Sequence, residues 1–349
     1  MFARAFAILR EAIWAHAFPA ASLAVTWQGK LVALKSFGRF TFDRKSSEVS
    51  PQTIFDLASV SKVIATTPMA MILYERGNLD LEMPVRHVMP EFASKDPRRD
   101  EVTIRMLLAH SSGLPAYEKL FERVRTGEEL LRAAYELPLL RDPGSVAAYS
   151  DMGFIILGEA LSRIAGESLN RSCQVHIFGP LSMASTSFCP PTDKRGSIPP
   201  TADDRWFRHR IVQGDVHDEN AYVLGGVAGH AGVFASATDV ATFAVAMLNG
   251  NLVRQETVSL FTRRQTSPEG TSRALGWDTP SAPSQSGKYL SPSSFGHLGY
   301  TGTSLWIDPE RQLSVTLLTN RTWPDNQNQA IRQVRPAFHD AIVEALEDL

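Results

Sequence analysis

The chain has 349 residues, 44% hydrophobic and 21% charged, with Lys+Arg 35 against Asp+Glu 37 and a formal charge of −2. That balance excludes a disordered, fibrous or collagen-like chain, and the lack of net positive charge argues against nucleic acid or anionic lipid as a partner. A small molecule or short peptide fits the charge better, and the length allows two ordinary domains or one sheet domain with a large insertion.

In chain order, apolar positions recur at helical spacing from Phe2 to Ala17. Ser22 to Trp27 and Leu31 to Phe37 read as strands about a Gln28-Gly29 turn. The middle is periodic as helix: Ile64 to Arg76, Thr103 to Ala109, Glu128 to Glu136, Gly153 to Ala165 and Thr238 to Leu248. A second strand pair, Ser304 to Ile307 and Leu313 to Thr319, precedes a helical pattern from Gln327 to Leu346. Two Pro/Ser/Gly-rich stretches, Cys189 to Asp204 and Thr279 to Ser294, read as long loops of the kind that rim a site. The fold class expected is α/β (α+β): an antiparallel central sheet built from both termini, flanked by helices, with an inserted all-helical domain. The expected boundaries are residues 1–75 with 225–349 for the sheet domain and 76–224 for the insertion.

No apolar stretch approaches the roughly 18 residues that a membrane span needs. Arg4, Arg10 and Glu11 interrupt the N-terminal apolar residues before an export signal forms, so the chain as given reads as cytoplasmic, or periplasmic if a signal was removed. Cys173 and Cys189 lack CxxC spacing, which argues against a disulfide framework or zinc knuckle. No cofactor is implied, and the oligomeric state is not legible. Arg205-Trp206-Phe207-Arg208-His209-Arg210 mixes basic and aromatic residues, but in a weakly acidic chain it reads as a partly buried loop anchor rather than a nucleic-acid patch.

Ser59 and Lys62 form the only S-x-x-K, at the mouth of a helical run; three residues apart on a helix they share a face, so the amine reaches the hydroxyl. A chance match is expected in a serine-rich chain, so the motif alone leaves nucleophile and helix cap both open. Context favours the nucleophile. Thr103-Ile104-Arg105-Met106-Leu107-Leu108-Ala109-His110-Ser111-Ser112-Gly113-Leu114-Pro115, Tyr149-Ser150-Asp151, Gly179-Pro180-Leu181-Ser182-Met183 with Thr186, and His297-Leu298-Gly299 follow in order. Together they resemble the class C β-lactamase and DD-peptidase superfamily of penicillin-recognising serine hydrolases. Asp215-Val216-His217-Asp218-Glu219-Asn220-Ala221 with Gly229-His230-Ala231-Gly232 resembles a branch containing a DD-carboxypeptidase-like penicillin-binding protein. Two histidines and their acids match no standard zinc spacing, so a hydrogen-bonded loop network supporting the site is expected instead of a metal.

The resemblance implies an acyl-enzyme on Ser59, proton transfer to Lys62 or Tyr149, and an oxyanion hole from the N–H groups of Ser59 and Tyr300. Lysine's reference pKa is about 10.4, and Asp151 in place of the family's Asn favours ammonium, which tilts the base role toward Tyr149. Gly299 is expected to let the strand approach substrate, and His297, in place of the family's lysine, to titrate near pH 6.5 unless perturbed. Leu298 stands where a hydroxyl normally meets a substrate carboxylate, so β-lactams and D-Ala-terminal peptides lose one anchor unless Thr301 or Thr303 supplies it. The expected activity is that of an esterase or DD-carboxypeptidase. The alternative, an inactive binding module, does not need Ser59, Lys62, Tyr149 and His297 together.

Overall fold

Apolar runs at both ends of the chain meet in one sheet. The computed structural model describes residues 1–93 and 96–347. Helix α1 (Ala3–Trp14) leads into β1 (Ala20–Trp27) and β2 (Lys30–Gly38), joined by the tight Gln28-Gly29 turn; β3 (Ile54–Asp56) precedes α2 (Thr67–Glu75). Then come α3 (Ile104–Leu108), α4 (Gly127–Glu136), α5 (Asp151–Ala165), α6 (Leu169–Cys173), β4 (Ser187–Phe188), β5 (Ala202–Asp204), β6 (Arg210–Val212) and α7 (Glu219–Val223). The chain finishes with β7 (Val233–Ser236), α8 (Ala237–Asn249), α9 (Gln255–Thr262), β8 (Phe295–Leu298), β9 (Ser304–Asp308), β10 (Leu313–Thr319) and α10 (Ile331–Glu347).

The main sheet is antiparallel in the order β2-β1-β10-β9-β8, with Ala21 opposite Thr319 and His297 opposite Leu305. Both faces are buried, so β1 and β10 read as near-continuous apolar runs, and alternation deals their side chains to opposite sides. Ala21, Leu23, Val25, Val315 and Leu317 pack with α1 and α10, whereas Ala20, Ala24 and Leu318 join the larger core that includes α2, α5 and α8. The fold expectation thus holds at the sheet. The intervening chain is mainly helical but not wholly so: β5 and β6 form a ribbon where a loop was expected, and β4 joins β3 and β7 in a three-stranded sheet. The C-terminal helix begins at Ile331 rather than Gln327, because Asp325 and Asn328 side chains capture the N–H groups of Gln327 and Ala330 as local turns. Among the described residues no helix is long and apolar enough to cross a membrane.

Candidate active site

β3 aims the chain at the site, and a strained turn presents the serine. Ala58 has φ of 46°, in the left-handed region that a side chain normally avoids at a cost of about 1–2 kcal/mol. Its N–H donates to the Asp56 carboxylate at 2.8 Å, and the other carboxylate oxygen takes the His217 N–H at 2.6 Å. Burial pushes the Asp56 carboxyl up to about 6, against these two bonds that favour its charge. From the opposite side the hydroxyls of Thr301 and Thr303 donate to the carbonyls of Asp56 (2.8 Å) and Leu57 (2.9 Å). Both threonines are fully buried and spent on this turn, so neither supplies the hydroxyl that Leu298 lacks.

Behind Ser59 the helical run opens into one wide π-type turn over Lys62–Thr66 before tightening into α2. Lys62 is fully buried there and its Nζ has four oxygen neighbours: Ser59 Oγ at 3.1 Å, Tyr149 OH at 2.7 Å, Asp151 Oδ1 at 2.6 Å and the His230 carbonyl at 3.0 Å. The Tyr149 hydroxyl donates to Ser59 Oγ at 2.9 Å, closing a triangle. Tyr149 and Asp151 arrive together because Ser150 between them caps α5, accepting the Gly153 N–H at 3.0 Å while donating to the Pro115 carbonyl. The buried imidazole of His110, whose Nδ1 accepts the Ser150 N–H, packs against the Tyr149 ring with centroids 4.7 Å apart and planes tilted by 37°.

Burial lowers the Lys62 pKa and the Asp151 carboxylate opposes it. The Tyr149 phenol is pushed well above its usual range, by burial first and then by Asp151, which counts against Tyr149 as a standing phenolate base. His297 is likewise corrected: burial, then the Lys62 and Arg273 charges, hold it neutral well below pH 6.5. Strand alternation turns His297 to within 6.0 Å of the Tyr149 ring, its Nδ1–H donating to the Leu298 carbonyl, and turns Leu298 toward the α10 side.

The Asp218–His230 region forms the loop network. His230 meets the Asp218 carboxylate at 2.8 Å, and Asp218 also caps α7 through the Ala221 N–H. Burial acts to raise the Asp218 carboxyl, but His230 and that cap prevail and hold it at about 2. The network thereby fixes the carbonyl of His230 on Lys62. Arg208, from the basic-aromatic stretch, is an anchor as expected: it donates to the Val216 and His217 carbonyls, while Trp206 stays exposed at the cleft.

Ser59, Tyr149, Asp151, Leu298, Gly299 and Tyr300 line one cleft of about 990 Å³. Gly299 is required by packing more than by substrate: a Cβ there would lie 2.5 Å from the Leu57 carbonyl and 1.9 Å from Thr303 Oγ1. Sequence reading missed Asp56, His110 and Arg273, the last lying 5.4 Å over the Tyr149 ring. No spacing rule marks them, because each acts through tertiary placement.

A family model described as Beta-lactamase matches residues 5–337. A Bacillus subtilis (strain 168) protein named N-acetylmuramyl-L-alanine amidase is 29% identical, across 88% of this chain and 78% of its own. A Salmonella agona (strain SL483) protein, provisionally named a D-alanyl-D-alanine carboxypeptidase, is 32% identical across 87% of this chain and 79% of its own. Among solved structures, EstCE1, a hydrolase with promiscuous acyltransferase activity, superposes with a TM-score of 0.79 at 22% identity, covering 97% of each chain. The octameric penicillin-binding protein homologue from Pyrococcus abyssi gives 0.77 at 20% identity, covering 98% of this chain and 77% of that one. Both are likenesses of fold.

Proposed function

The chain belongs to the β-lactamase family, and we propose that it hydrolyses an ester or amide through an acyl-enzyme on Ser59, whose proton passes to Lys62 directly or by way of Tyr149. The carrying observation is the set of oxygens around Lys62. The Asp151 carboxylate and the His230 carbonyl only accept hydrogen bonds, so they occupy two N–H groups of Lys62 permanently. The remaining position on nitrogen faces the hydroxyls of Ser59 and Tyr149. It holds a proton in the ammonium and a lone pair in the amine.

In the amine form, Ser59 Oγ bonds to the carbonyl carbon, the carbonyl electrons move to oxygen, and the Ser59 proton is taken up at that position. Tyr149, held as a neutral phenol, relays by accepting from Ser59 while donating to Lys62. Collapse of the tetrahedral intermediate breaks the bond to the leaving group, which recovers the proton. Water then repeats the sequence on the acyl-enzyme, and the N–H groups of Ser59 and Tyr300 receive the oxyanion each time.

On the substrate side, Leu298 lines the cleft without a hydroxyl, which supports a preference for simple esters. A second reading, cleavage of a carboxylate-bearing peptide, is favoured by Arg332, which lines the same cleft and has no ion-pair partner among the described residues, and by the carboxypeptidase name of the Salmonella relative. Turnover of p-nitrophenyl esters, a D-Ala-D-Ala peptide and a chromogenic cephalosporin, measured side by side, separates the two. Ester kcat/KM should be the largest, and a larger peptide value would install the second reading.

A further inference from the structure

Arg335 on α10 is buried, with 6% of its surface exposed, and among the described residues no carboxylate balances its charge. Its guanidinium, at the lining of the cleft, reaches backbone: Nη2 donates to the Gly299 carbonyl at 2.6 Å and the Thr303 carbonyl at 2.9 Å, and Nε to the Gly302 carbonyl at 3.2 Å. The Gly299 carbonyl belongs to the peptide whose N–H is that of Tyr300. In a planar trans peptide these two groups point in opposite directions, so a cation gripping the carbonyl leaves the N–H aimed away from it. Gly299 and Tyr300 line the cleft that holds Ser59. A second guanidinium, Arg321, donates to the next carbonyl, that of Tyr300, at 2.6 Å, so residue 300 is held on both sides.

We infer that Arg335 is a positioning residue for acyl transfer: it fixes and polarises the Gly299–Tyr300 peptide so that the Tyr300 N–H binds the oxyanion more strongly. The inference rests on the reading of Ser59 as nucleophile. A charged donor on a peptide carbonyl draws electron density from the N–H, and chained hydrogen bonds strengthen one another by about 10–30%. The positive charge also lies behind the developing oxyanion in a poorly solvated region, where its field is weakly screened.

The test uses p-nitrophenyl acetate, which has no carboxylate for a guanidinium to grip, on wild-type protein, Arg335→Lys and Arg335→Met. Active sites are counted with a fluorophosphonate, so that misfolded protein does not enter kcat. Removing an oxyanion donor outright costs about 10²–10³ in rate, so weakening one in Arg335→Met should lower kcat per titrated site by about 10- to 100-fold with KM within about twofold. The Ki of a neutral alkylboronic acid, which forms a tetrahedral adduct on serine, should rise by the same factor. Arg335→Lys, which keeps the charge but loses the fork, should fall between, at least about threefold below wild type; it decides the matter alone if Arg335→Met does not fold. Titratable sites with wild-type kcat and boronate affinity in Arg335→Lys would reduce Arg335 to loop packing and overturn this inference alone. A wild-type protein with no titratable Ser59 would overturn it together with the reading beneath it.

Discussion

The two walls of the cleft solve different problems with different material. The wall of Lys62, Tyr149 and Asp151, with the His230 carbonyl behind it, is made chiefly of mutually hydrogen-bonded side chains, and it handles a proton. The wall of residues 298–303 acts through its backbone: its two threonine hydroxyls, on Thr301 and Thr303, turn inward to hold the nucleophile turn, and arginines from outside the strand grip its carbonyls. A wall that moves protons depends on residue identity, whereas one that stabilises charge through N–H groups depends on how rigidly the peptide is held. Substitutions on the first should therefore act mainly on kcat and its pH dependence; on the second, side-chain changes should act on substrate choice and stability, and loosening the arginine grip on kcat.

The largest effect is expected on the side-chain wall. Lys62→Ala should lower kcat by about 10²–10⁴, the range general acid–base help supplies. Tyr149→Phe distinguishes the routes: near-normal kcat would make the 3.1 Å contact between Ser59 and Lys62 the path, and a loss matching Lys62→Ala would make Tyr149 an obligatory relay. On the backbone wall, Leu298→Thr should shift relative kcat/KM toward carboxylate-bearing substrates by about ten- to a hundredfold, the worth of one hydrogen bond to a charged group. No shift in a substrate panel would mean that position 298 does not meet the carboxylate.

Asp151→Asn sharpens the contrast through pH. The active form needs the Lys62 lone pair, so kcat/KM rises with pH through the Lys62 pKa. Asp151 raises that pKa against the lowering by burial, so its neutralisation should move the acid limb to lower pH. An unmoved or upward-shifted limb in the pH–rate profile would remove Lys62 from the acceptor role. The smallest effect belongs to Thr303→Val, which leaves the Leu57 carbonyl only the Val60 N–H at 3.1 Å and should cost about 0.5–1.5 kcal/mol in urea denaturation while leaving the ester-to-peptide ratio unchanged.

The same division explains what was legible in the sequence. Spacing alone pairs Ser59 with Lys62, and the apolar runs of β1 and β10 announce central strands because both their faces are covered. β8 is not legible from periodicity, since four residues with a glycine among them carry no alternation to read, and it enters only through the resemblance at His297-Leu298-Gly299. Tyr149 and Asp151 enter only through family resemblance; what places them, the cap at Ser150 and the tilted ring contact with His110, is tertiary. Arg335 is the extreme case: an arginine on a surface-patterned helix, 276 residues after the serine, with nothing in its neighbours to say that it reaches three backbone carbonyls.

The most direct test of the central claim is the site of covalent attack. Protein treated with a fluorophosphonate and mapped by peptide mass spectrometry should carry one added group, on Ser59, and Ser59→Ala protein should carry none. Labelling that persists in Ser59→Ala, or that falls on another serine in the wild type, would contradict the account.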